Sequence, residues 1–393
     1  MSVTLSHEDE LLRASVRAFF EREVIPHEEL VDRLGEVPEE IGREIEAKSK
    51  ELGLFAANLP ERVGGGGLNY TQMSIIEREF GRTSHALHSW VARPTELLLA
   101  CEGDQVDTYL MPCVTGEKRE LFGLTEPGAG SDAMGMQTRA RKDGDDWILD
   151  GMKHFISAPT MADFAIVFAV TGMDETKRGP RKRITAFLVD REMPGVTFRE
   201  GTKCVSNRGY KTYELIFDSV RLGPGQVLGE EGKGFELAGK WLGMGRVWIG
   251  ATCCGKAERL IEMATDWCAT RKQFGQPIGQ FQMVQAMLAD MYTEIECMRA
   301  LTYQVGREIV DLAEGEGGRG AIHKRSAAAL LAAGRGCMRV LDQAVQIHGG
   351  MGFMRETEVN RLYRSGKVGE IAAGSNQIRQ VIIAGELLKE AAG

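Results

Sequence analysis

The sequence predicts an α+β protein in which two helical lobes flank a central β-domain. Three observations carry that prediction. Apolar residues recur at helical spacing over 1–118, short alternating runs broken by turn residues fill 119–225, and stretches rich in Ala, Leu, Met, Glu and Arg occupy most of 226–393. The 393 residues exceed one ordinary domain, so two or three packed units are expected. A content of 43% hydrophobic and 26% charged residues allows a sizeable core under a solvated surface.

In the first segment Leu12, Val16, Phe19 and Phe20 share a helical face, as do Ile75, Ile76 and Phe80. The run Gly64–Gly67, shortly after Leu59-Pro60, reads as a connecting loop without chemistry of its own. In the middle segment, strands are expected at Trp147–Gly151, Phe164–Val170, Ile184–Val189 and Tyr213–Phe217, punctuated by Asp-Gly, Gly-Pro and Pro-Gly. The basic stretch Lys177–Arg183 lies between two of them. It reads as a solvated hairpin loop, or more sharply as a docking point for the phosphates of a large anion such as coenzyme A. Breaks in the last segment are expected at Arg271–Pro277, Glu314–Gly320 and around His348–Gly352.

Several function classes are disfavoured. A net charge of −8 argues against a nucleic-acid partner. No run of roughly 18 apolar residues occurs, so no membrane span is expected. The acidic, polar start from Met1 to Glu10 is unlike a targeting segment, and a cytoplasmic location is expected. The eight cysteines form no Cys-x-x-Cys and the seven histidines no His-Glu-x-x-His, so no metal is expected and the thiols read as reduced and mostly buried.

The chemistry begins at Leu124-Thr-Glu-Pro-Gly-Ala-Gly-Ser-Asp132. Its glycines let backbone N–H groups approach a ligand, and Thr125 and Ser131 add hydroxyls for a flavin ring or a phosphate. It is not a G-x-G-x-x-G turn, so no Rossmann site is read. The segment resembles the flavin-binding signature of acyl-CoA dehydrogenases. Gly151–Ser157, Arg271–Ile278 with Phe281-Gln282, and Gln346–Phe353 leading to Gly374–Gln377 resemble further segments of that family in the same order.

The resemblance implies an N-terminal helical domain, a central β-domain and a C-terminal four-helix bundle, assembled as a homotetramer with FAD between subunits. As FAD contacts it implies Phe122, Leu124, Thr125, Gly130, Ser131, Phe155, Ile156 and Ser157. From the last segment it implies Arg271, Gln273, Phe274, Ile278, Phe281, Gln282, Gln346, Gly349, Gly350, Ser375 and Gln377. Arg271 would meet a pyrophosphate of the neighbouring subunit's FAD. Ser131 and Arg246 would lie near the acyl-CoA substrate, and electrons would pass to an electron-transfer flavoprotein.

The catalytic carboxylate departs from the family pattern. Most members carry a glutamate where this chain has Ala373. A minority, including isovaleryl-CoA dehydrogenases, carry it before an arginine on an earlier helix, and there this chain has Gly245 before Arg246, with Gly243 where an aspartate is often found. Some cyclic-acyl-CoA dehydrogenases use an N-terminal aspartate. The comparable stretch His85–Glu96 offers only Glu96, which is the substitute base expected here, with Glu370 as the other nearby carboxylate.

Arg93, close to Trp90, reads as a structural ion-pair partner or as an anchor for a distal carboxylate or sulfinate. Three functions stay open. One is a dehydrogenase with a displaced base. Another is a non-oxidative enzyme on an anionic acyl-CoA, similar to 3-sulfinopropionyl-CoA desulfinases or decarboxylating relatives. The third is a glutamate-lacking subunit of a hetero-oligomer, beside which a flavin monooxygenase relative also stands.

Overall fold

A computed structural model describes residues 5–158, 160, 162–176, 179–310 and 321–392. The helical–β–helical order is as expected. In the first lobe α1 (His7–Phe19), α2 (Glu28–Leu34), α3 (Glu39–Glu51) and α4 (Tyr70–Gly81) are followed by the short α5 (His85–His88) and α6 (Met111–Thr115). Capping boxes start two of them: Ser6 with Asp9 on α1, and Asn69 with Gln72 on α4. Val16, Phe19, Phe20, Ile76 and Phe80 share one buried cluster, and Leu12 packs at its edge. The Gly64–Gly67 loop folds back on the preceding turn, with Gly66 N–H donating to Ala56 O and Gly67 N–H to Leu59 O.

The middle of the chain is an eight-stranded sheet. Its strands are β1 (Glu120–Gly123), β2 (Arg139–Asp143), β3 (Asp146–Ala158), β4 (Phe164–Thr176), β5 (Gly179–Asp190), β6 (Val196–Glu200), β7 (Lys211–Leu222) and β8 (Val227–Leu228). They lie in the order β6-β7-β3-β2-β4-β5-β8, with β1 alongside β4. The four expected strands fall inside β3, β4, β5 and β7. Arg181–Arg183 belong to β5, where the ladder with β4 runs out to Thr176 and Gly179, so this part of the basic stretch is paired strand and not loop. Lys177 and Arg178 lie outside the described residues.

The last lobe is built on α7 (Gly234–Thr270), the β9–β10 hairpin (Lys272–Gln273, Gln276–Pro277), α8 (Gln282–Val310) and α9 (Ala321–His348). It closes with α10 (Gly350–Phe353), α11 (Glu358–Gly366) and α12 (Asn376–Ala391). The expected breaks at Arg271–Pro277 and His348–Gly352 are observed, and the one at Glu314–Gly320 lies outside the described residues. All eight cysteines are free thiols, six of them buried. No helix among the described residues is long and apolar enough to cross a membrane.

The contact that positions the site is between α4 and α7. α4 is buried along nearly its whole length because α1 covers one side and α7 the other. Backbones meet where a side chain would not fit: a Cβ on Gly81 would lie 1.9 Å from Thr252 O, and one on Gly255 1.6 Å from Arg78 O. Around these glycines the helices exchange ion pairs, the buried Arg78 with Glu258 at 2.7 Å and Arg82 with the half-exposed Glu262 at 2.6 Å.

Candidate flavin and thioester site

The 124–132 loop is pinned from beneath. Lys153, with no solvent exposure, bonds Glu126 at 2.8 Å and Leu124 O at 3.1 Å. Glu126 also accepts the N–H groups of Gln137 and Thr138 at 2.6 and 2.9 Å. Burial would raise the Glu126 pKa, but these bonds outweigh it and hold the carboxyl below its ordinary range. Burial pushes the Lys153 ammonium down to about 8 against the pull of Glu126. The outer edge of the loop is open: Gly130 and Ser131 are exposed, and a Cβ on Gly128 or Gly130 would meet nothing within 4 Å. Packing therefore does not demand these glycines, whereas close approach of a ligand to the backbone would.

β3 carries the neighbouring edge. Phe155 has φ +55°, rare for a bulky residue, at a register shift between Lys153 and Ile156. The bulge leaves the Phe155 ring 59% exposed and turns Ser157 to the surface, while Ile156 enters the core. Leu124 is likewise buried, and Phe122 packs against Trp241 of α7 with ring centroids 4.5 Å apart. Thr125 O accepts the His154 N–H at 2.8 Å, which ties the loop to this strand.

Across from it, α7 presents Trp241, Gly245, Trp248 and Thr252 on one stripe, by the i, i+4, i+7, i+11 spacing. A Cβ on Gly245 would meet nothing within 4 Å, so the missing side chain leaves free space. Beside it Arg246 is buried, donates from Nε to Ala373 O at 3.1 Å, and has Nη1 3.2 Å from His323 Nδ1. No carboxylate among the described residues pairs with it. Burial, followed by repulsion from Arg379, lowers its pKa to about 10.

Ala373 holds φ +54° and Gly374 φ +92°. Their turn is fixed by the fully buried Arg379, which donates to Gly369 O at 2.9 Å and Ala372 O at 2.5 Å. Glu370 is occupied by Lys367 at 2.5 Å and the Asn376 amide at 2.9 Å.

Glu96 begins a short 3-10 turn that packs on α7. It accepts the Tyr70 hydroxyl at 2.6 Å, and Tyr70 stacks on Trp248 at 5.2 Å. Burial raises the Glu96 pKa, partly offset by Tyr70 and Arg93. Arg93 lies over Trp248 at 4.6 Å and pairs with Glu77, whose other oxygen accepts the Thr252 hydroxyl at 3.2 Å. The structure thus gathers Glu96, Arg93 and Gly245 along one face of α7.

The remaining expected residues form a second group on the last lobe. Arg271, Gln273, Phe274 and Gln282 are exposed on or next to the β9–β10 hairpin, with Ile278 half-buried. Phe274 is 95% exposed, its ring 6.1 Å from that of Phe281. Gln346, Gly349 and Gly350 are exposed at the α9–α10 break, and Ser375 caps α12 two residues ahead of the exposed Gln377. The roles of Tyr70, Glu77, Lys153 and Arg379 were not legible in the sequence. Each depends on a partner 26 or more residues away or on a turn's carbonyls, and no local spacing encodes that.

This architecture and its open glycine edge define a class. Family models for the N-terminal, middle and C-terminal domains of acyl-CoA dehydrogenases match residues 6–117, 121–220 and 232–388. The chain belongs to the acyl-CoA dehydrogenase family, whose members are FAD-dependent flavoenzymes. It is 34% identical to a 3-(aryl)acrylate reductase of Clostridium sporogenes, over 98% of this chain and 99% of that protein. Identity is also 34% to a subunit of the caffeyl-CoA reductase–Etf complex of Acetobacterium woodii, again over 98% and 99%. The solved butyryl-CoA dehydrogenase of Megasphaera elsdenii superposes with a TM-score of 0.86 at 32% identity, covering 99% of this chain and 100% of that one. The residues here fit FAD, because an exposed aromatic ring on a strained bulge and an open glycine edge lie together, tied by the Thr125–His154 bond.

Proposed function

We propose that this protein is an acyl-CoA oxidoreductase acting across Cα–Cβ of a CoA thioester, with Glu96 as the displaced base. The observation that carries the reading is the half-buried Glu96–Tyr70 pair beside the α7 stripe that leaves space at Gly245. Three carboxylates flank this region and their partners separate them. Glu77 is committed to Arg93 and Thr252, and Glu370 to Lys367 and Asn376. Glu96 has one neutral hydrogen-bond donor, Tyr70, and a pKa raised by burial, which is the state a general base needs near neutral pH.

FAD supplies the two-electron acceptor. Glu96 takes the α-proton that the thioester acidifies, and the Tyr70 phenol orients the carboxylate. The Thr125–Ser131 edge, Phe155 and Ser157 receive the flavin. Arg271, Gln273, Phe274, Phe281, Gln346 and Gln377 complete the cofactor's cradle across a homotetramer interface, and exposed Phe274 supports that placement. Arg246 and Ser131 lie toward the CoA moiety. The acceptor beyond the flavin is an electron-transfer flavoprotein, in line with the Etf complex named for one relative. The protein works in the cytoplasm.

Anaerobic mixing of holoprotein with a panel of acyl-CoA thioesters tests the reading. Flavin bleaching with enoyl-CoA formation is expected. Turnover without bleaching would assign a non-oxidative cleavage instead, and a flavin silent until a second chain is added would make this a partner subunit.

A further inference from the structure

We infer that the acyl group ends in an anion held by Arg93, an assignment that rests on the acyl-CoA reading above. A cavity of about 200 Å³ lies between the first lobe and the sheet. Ser157 forms its flavin-side wall, and His85, Ser89, Arg93, Arg119 and Tyr210 contribute much of the rest. Sites for aliphatic chains are lined mainly by apolar groups. Here imidazole, hydroxyl, phenol and guanidinium groups share the wall with Phe55, Phe80, Ala92 and Pro94, a mixed lining that gives an acyl terminus both apolar contact and hydrogen-bond donors, and the volume suits a short acyl group.

Arg93 joins this cavity to the reaction site, because its guanidinium lies over Trp248, three residues beyond Gly245. Glu77 occupies one end of the guanidinium fork. Among the described residues no hydrogen-bond acceptor takes the other N–H groups, and the side chain keeps 34% exposure. A guanidinium has five donors and meets a carboxylate with two of them at once.

Burial lowers the Arg93 pKa to about 10, against the pull of Glu96, Tyr210 and Tyr70, so the guanidinium stays charged at neutral pH with Glu77 as its ion-pair partner. His85 and His88 touch edge to face at 4.3 Å, and burial lowers both pKa values, that of His88 to about 4, so neither is charged at neutral pH. Arg119 stacks over Trp90 at 4.7 Å and pairs with Glu46. Lys118 donates to Thr108 O at 2.9 Å. The facing acids are Glu120, which accepts the Thr95 N–H at 2.7 Å, and Glu96, and burial raises the pKa of both. Tyr210 adds a phenol beside Ser157 O at 3.4 Å.

The test is anaerobic calorimetric titration of holoprotein with butyryl-CoA and succinyl-CoA, a pair that differs in a terminal methyl or carboxylate. Succinyl-CoA is expected to bind at least about tenfold tighter, the scale of one charge-assisted hydrogen-bonding contact. Arg93→Met should bring the ratio to about one by weakening succinyl-CoA, and Arg93→Lys should restore part of it. Ser89→Ala, which leaves the ion pair intact, should lower the ratio by a smaller factor. Equal binding of the two thioesters to the parent protein, or a ratio unchanged by Arg93→Met, overturns the anionic terminus alone. If neither thioester binds, the acyl-CoA reading falls with it.

Discussion

Glu96→Gln is the sharpest perturbation of the proposed chemistry. Glutamine keeps the size of the side chain, and its carbonyl can still accept the Tyr70 hydroxyl now 2.6 Å from Glu96, so the fold should survive. What is lost is the proton acceptor. A positioned general base contributes about 10²–10⁴-fold, or roughly 3–5 kcal/mol of barrier, and flavin reduction should slow by that factor. Tyr70→Phe makes the argument specific. The phenol lowers the Glu96 pKa against the dominant effect of burial, so its removal should raise that pKa further. The rate rises with pH as the base loses its proton, so the ascending limb of the profile should move to higher pH in Tyr70→Phe and disappear in Glu96→Gln. Stopped-flow bleaching across pH 5–9 reads both. A Glu96→Gln rate within about threefold of the parent, or an unmoved limb in Tyr70→Phe, refutes Glu96 as base.

Gly245→Glu should be accommodated, since nothing lies within 4 Å of the added Cβ, and it should restore flavin reduction in a Glu96→Gln background. Lys153→Met strands Glu126 in a buried site and should cost about 3–5 kcal/mol, seen as a lower melting temperature and reduced FAD content, with Glu126→Gln recovering part of the loss. Because the folded Lys153 pKa, about 8, lies below its unfolded 10.5, the unfolded chain binds more protons between those values, and this group's stability contribution should rise with pH across that window in denaturation titrations. Gly81→Ala should destabilise by about 1–3 kcal/mol or more in thermal unfolding, because its Cβ would sit 1.9 Å from Thr252 O.

What the sequence disclosed followed from local pattern. Long apolar strands such as Phe164–Val170 and helical faces such as Ile75, Ile76 and Phe80 announce themselves by period. β2, reading Arg-Ala-Arg-Lys-Asp, and β6 escaped because pairing with β3 and β7 makes them strands, not apolar content. The 124–132 motif was legible because its signature is contiguous. The setting of Glu96 was not: its partners Tyr70 and Arg93 converge only when α4 docks on α7, and the sequence shows a lone glutamate after Pro94-Thr95. Phe155 was legible as a motif residue, but its left-handed backbone comes from the bulge.

The glycine seam between α4 and α7 has a mechanical consequence. Helices whose backbones touch at Gly81 and Gly255 cannot slide past one another without driving Cβ atoms into carbonyl oxygens. Tyr70 is therefore held in register with Trp248, and Glu77 with Thr252, as parts of a single stiff beam. Motion that admits a ligand then falls to the contacts between the sheet and that beam, Phe122 with Trp241 among them. Substitutions there should alter how fast ligands enter and leave while the spacing of the reacting groups stays constant.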